Sequence, residues 1–210
     1  MNKAFPGLLA IALSGCATVL GDSEIADRAE ATVRSSFSGG EPRILARVVR
    51  QDEAQRLCSI YRNAPPAGVA EAIESAQRAT MRYPASGRLM GDWREGKRIA
   101  EDTAGMMYSD PPGRTGGGNC YACHQLAPRE LAFGTVGPSL TGYGAARGAS
   151  ETMQRYTYER TYNAKAFVAC SAMPRFGHNG VLTPEQIAHV VAFLLDPASP
   201  VNATADKIDK

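Results

Sequence analysis

Cys120-Tyr121-Ala122-Cys123-His124 is the stretch on which the reading of this chain turns. Cysteines spaced this way on one helical turn face the same side, and the adjacent histidine points along with them. Both sulfurs then reach the two vinyl groups of one haem, and His124 offers its imidazole to the iron. A redox dithiol would want a βαβ setting, and no strand pattern surrounds the motif. A zinc site would want two more ligands at finger-like spacing, and His178 lies far outside that range. Attachment of one haem c at Cys120, Cys123 and His124 is the reading to test.

Downstream, the iron needs a sixth ligand or an open position. Met173-Pro174 is the first choice, because proline stiffens the loop and a thioether there would enter an apolar pocket with Phe176. Cys170 and His178 are nearby rivals. His189 is a weaker one: Ile187, Val190, Val191 and Leu194 share a helix face from which it points away, as a solvated or partner-facing side chain would. Met81, Met90, Met106, Met107 and Met153 read as core filler. His/Met ligation raises the reduction potential and leaves no vacant site, which favours electron transfer. In the Gly134–Leu140 run, the Pro138 carbonyl could take the His124 Nδ1 proton; a plain Gly/Pro turn is the alternative.

Helix signals dominate, and strand patterns are nearly absent, so the fold expected is all-α. Val69, Ile73 and Ala76 predict a helix within Gly68–Met81. Asp92 is an N-cap, with Glu95 completing a capping-box-like pair. Helical pattern returns from Glu151 to Phe167. Thr183-Pro184-Glu185-Gln186 carries a full set of start signals for a last helix ending near Asp196-Pro197. The expected organisation is a signal over 1–15, a partly helical extension over 16–90, a haem domain over 91–197 and a frayed tail over 198–210.

The composition narrows the classes further. Among 210 residues, Lys+Arg 23 against Asp+Glu 21 leaves a net charge of +2, which argues against an electrostatic grip on nucleic acid. The apolar run from Ala4 to Leu13 is short of the about 20 residues that span a bilayer, and suits a secretory signal. Leu13-Ser14-Gly15-Cys16 resembles a bacterial lipobox, which would make Cys16 the lipidated first residue; cleavage after Ala17 is the alternative. Either reading exports the chain to the periplasm, and lipidation would anchor it to a membrane through Cys16. Of five cysteines, Cys58 and Cys170 then remain. A disulfide between them would staple the extension to the Met173 loop; two buried free thiols are the alternative.

Four runs occur in a telling order: Gly91–Lys97, Gly118–Gln125, Gly134–Gly144 (Gly-Thr-Val-Gly-Pro-Ser-Leu-Thr-Gly-Tyr-Gly) and Met173–Gly177. Together they resemble SoxX, the monohaem cytochrome c family of SoxAX complexes in thiosulfate oxidation, over roughly residues 91–197. The resemblance implies a class I cytochrome c fold, His124 and Met173 as axial ligands, and the Pro138 carbonyl supporting His124. It also implies a heterodimer with a SoxA-type cytochrome that holds the catalytic centre and joins thiosulfate to a cysteine of the SoxYZ carrier. This chain would relay the electrons to a soluble cytochrome c, without substrate chemistry of its own. A free-standing monohaem shuttle of a respiratory chain is the alternative. The long extension and the lipobox both depart from the simplest pattern of that family.

Overall fold

A computed structural model of the chain describes residues 21–36, 50–104 and 115–203. The signal segment, Cys16, Met106, Met107 and the last seven residues lie outside them. Seven α-helices and no strand are present among the described residues. Two compact units divide at Gly39. In the first, α1 (Asp22–Ser36) is exposed and laced by Glu24–Arg28 and Glu30–Arg34 pairs one turn apart.

The second unit holds everything else. It begins with α2 (Glu53–Ile60), where Asp52 and Gln55 form a reciprocal capping box, and α3 (Ala67–Arg78), which follows Pro66. These two bury Ala54, Cys58 and Ile73 around Ala169 in a small core of their own. Segment 50–90 of the extension is therefore packed into the same body as the haem-motif region.

The main core is built on α4 (Trp93–Glu101), α6 (Glu151–Tyr162) and α7 (Pro184–Leu195). Thr183 and Gln186 close the expected capping box on α7. That helix buries eight positions, from Ile187 and Ala188 through Val190–Leu195, so it is wrapped on nearly all sides. Backbones of α4 and α7 touch at Gly96, where an added Cβ would overlap the His189 carbonyl and lie 2.8 Å from Phe193 Cβ. Short α5 (Tyr143–Arg147) completes the set.

Four expectations need correcting. Glu95 does not complete a capping box, because its carboxylate pairs with Arg98 at 2.5 Å. The Asp92 N–H instead donates to His189 Nδ1 at 2.8 Å, so His189 locks α4 to α7 rather than facing solvent or a partner. The helical pattern after Glu151 stops at Tyr162: Asn163 turns the chain, its side chain accepting from Lys165 N, and only a 3₁₀ turn follows. The chain also stays packed beyond Pro197. Val201 is buried, and Asn202 Oδ1 accepts from the Gly144 and Ala145 amides while its Nδ2 donates to the Leu194 and Asp196 carbonyls.

Candidate functional site

The Cys120–Ala122 segment winds into a single 3₁₀ turn, and the His124 amide donates back to the Cys120 carbonyl at 2.9 Å. This places the two thiols and the imidazole on one side of a tight knuckle. The knuckle is tethered from both directions. Gly118 N–H donates to the Ile99 carbonyl of α4, while Gly134 and Gly137 donate to the Tyr121 and Cys123 carbonyls.

His124 Nδ1 lies 2.7 Å from the Pro138 carbonyl oxygen. A carbonyl only accepts, so Nδ1 carries the proton and Nε2 keeps its lone pair for a metal. Gly137 backs the ring closely: an added Cβ would overlap Cε1 and sit 2.7 Å from Nε2. No bulkier residue would leave the imidazole where it is.

Two adjoining cavities of about 220 and 210 Å³ open beside the knuckle, and His124, Pro138, Arg160 and Met173 line both. Cys120 and Cys123 line the first, together with the buried Phe176. Both cysteines are free thiols. Burial, then the neighbouring Cys123, pushes the Cys120 thiol up to about 12. A thiol held neutral in this way is the opposite of the acidic thiol of a redox dithiol. Two cysteine sulfurs, an imidazole whose Nδ1 is engaged by a carbonyl, and a thioether around a largely apolar slot are a donor set that fits a covalently held haem.

The rivals of Met173 are occupied elsewhere. Cys170 is bonded to Cys58. His178 turns to the extension, with Nδ1 3.1 Å from Thr80 Oγ1 and Nε2 3.8 Å from Asp52. His189 is engaged between α4 and α7. Among the described residues, no three His, Cys, Asp or Glu side chains converge to hold a metal ion.

Arg175, two residues past Met173, is turned to Asp52 and Gln77 and does not line the slot. It is 5 % exposed, paired with Asp52 at 2.6 Å and Gln77 at 2.8 Å. Arg147 does line the second cavity, its guanidinium over the Tyr143 ring. Arg160, over the Phe167 ring, was missed, although its helical spacing from Thr157 and Thr161 puts it on the cavity side of α6.

Comparison with known proteins agrees with this geometry. A family model described as Cytochrome c matches residues 93–196. A protein of Aquifex aeolicus (strain VF5) named an uncharacterized lipoprotein is 46% identical over 157 residues, covering 72% of this chain and 73% of its own length.

Proposed function

The chain belongs to the cytochrome c family, and with that as premise we propose that it is the monohaem electron-transfer subunit of a SoxAX-type thiosulfate-oxidising complex. Its fold is the all-α class I cytochrome c fold, and that domain implies a covalently bound haem c. When bound, the haem supplies a one-electron couple at the iron. Cys120 and Cys123 would hold it through thioethers, and His124 and Met173 would supply its iron ligands.

The observation that carries the reading is that His124 and Met173 line the same pair of cavities, with His124 Nδ1 already bound to the Pro138 carbonyl. That hydrogen bond fixes the ring and makes it a stronger donor. Arg147 and Arg160 would meet the two carboxylates of the group. With His124 and Met173 as its ligands, the iron would keep no position open for substrate, which suits electron transfer.

The Gly134–Gly144 run supports the finer assignment to the SoxAX type, with a SoxA-type partner, the SoxYZ carrier and a soluble cytochrome c as acceptor. The lipoprotein name of the Aquifex relative, together with Leu13-Ser14-Gly15-Cys16, supports a lipid anchor on the periplasmic side of a membrane. Among the described residues, no helix is long and apolar enough to cross a membrane.

The test is a pull-down of the holoprotein followed by addition of thiosulfate and the carrier protein. A second haem chain that copurifies, and reduction of this haem by thiosulfate, are expected. A monodisperse haem protein that thiosulfate does not reduce would return the chain to a free-standing shuttle.

A further inference from the structure

Electron transfer through the haem leaves segment 50–82 without a role, yet its side chains reach the loop that carries Met173. Cys58 on α2 is bonded to Cys170, three residues ahead of Met173. Two residues beyond Met173, Arg175 is held by Asp52, which precedes α2, and by Gln77 on α3. One tie is covalent and one is ionic, and they bracket Met173-Pro174 in sequence.

The ionic tie is hard to replace. Arg175 is nearly enclosed, so water has little access to its guanidinium if Asp52 lets go. Gln77 is itself held, accepting from Asn163 Nδ2 at 3.0 Å just beyond α6. The covalent tie rests on the small apolar core of Ala54, Ile73 and Ala169. Both ties therefore end on packed elements, and supporting groups of that kind set how far a ligating loop can stray. A neutral thioether has no charge to draw it back to iron, so loop geometry decides how long it stays.

We propose that segment 50–82 is a clamp on the axial-ligand loop, in which Asp52, Gln77 and the Cys58–Cys170 bond are positioning groups that hold Met173 in place and keep outside ligands off the iron. This rests on Met173 being the sixth ligand.

The experiment uses the full-length ferric holoprotein and follows its weak long-wavelength Met-to-iron charge-transfer band while imidazole is added. Asp52→Asn is the main variant: an Asn carboxamide oxygen still accepts from the Gln55 amide and keeps the α2 cap, so the Arg175 ion pair is removed, together with the long His178 contact. Imidazole should displace Met173 about tenfold faster than in the parent, as loss of a charge-assisted hydrogen bond predicts. Asp52→Glu should restore the slow rate.

Replacing both Cys58 and Cys170 by serine should accelerate displacement too; both must go, since a freed Cys170 thiol could itself bind iron. Unchanged rates in Asp52→Asn would overturn the clamp, even if its melting temperature falls, because the tie would then serve the fold alone. That variant keeps the disulfide, so it decides the question if the double variant fails to accumulate. A parent protein with no charge-transfer band would overturn the assignment of Met173 instead.

Discussion

Gly137 does its work by what it lacks. Its missing side chain lets the backbone lie against the His124 ring while the Pro138 carbonyl reaches Nδ1. Gly137→Ala should push the imidazole off line and break that hydrogen bond. The cysteines would still hold the haem, so the expected outcome is a c-type pyridine haemochrome of normal yield with a disturbed ferric spectrum. Met173→Ala should open the iron: rapid CO binding to the ferrous protein, and a midpoint potential lower by on the order of 0.1–0.3 V, a fraction of the ~0.8 V that axial ligands span. Potentiometry checks the second effect. At the same scale, two groups make the fold acid-sensitive. Burial first, then the Arg175 charge, hold the His178 pKa below its ordinary 6.5, against the pull of Asp52. Below pH 6.5 the unfolded chain therefore takes up a proton that the folded one refuses, and stability falls. Burial alone would raise the Asp52 pKa, but the Gln55 amide and Arg175 hold it below 3.8. Its contribution is complete above that value and is lost as the pH drops through the lower folded value. Melting temperatures should accordingly decline in two stages on acidification, and His178→Gln should remove only the upper one.

Among the elements, α7 shows how far local signals reach. Thr183, Pro184 and Gln186 predict its start, and the capping box forms as read. Thr183→Ala should cost about 1 kcal/mol in denaturant unfolding. Its partner α4 was only half legible. Asp92 caps it, accepting from Arg94 N at 2.7 Å, but the reciprocal role expected of Glu95 passes to His189 on another helix. A spacing rule cannot see a residue nearly a hundred positions away. Gly96 marks where these helices cross, and Gly96→Ala should destabilise by about 1–3 kcal/mol through overpacking, measurable by the same unfolding. The helical pattern after Glu151 ran on to Phe167 in the sequence, because Ala164–Ala166 suit a helix. Asn163 ends it instead, with its side chain turned to Gln77 and Thr80. In that place a tertiary hydrogen bond outweighed local propensity.

At the scale of the whole second unit, residues 50–82 and the haem domain share one body, stapled by Cys58–Cys170 across 112 positions. Serine at both cysteines should lower stability by up to about 4–5 kcal/mol on the chain-entropy model, read as a shift of the denaturant midpoint. The chain's order alone determined what depends on neighbours along it: the haem knuckle, the caps of the last helix and the all-α character, each fixed by spacings of a few residues. It also narrowed the sixth ligand to a short stretch holding Cys170, Met173 and His178. Only the tertiary structure separated these three, because it bonded Cys170 to Cys58, turned His178 to Thr80 and Asp52, and left Met173 lining the slot with His124. It likewise turned Arg175 to Asp52 and Gln77 and placed Arg160 on the lining of the slot. The reason is physical: a side chain's direction follows from helix phase and nearby residues, whereas its partner is chosen by every element that packs against it.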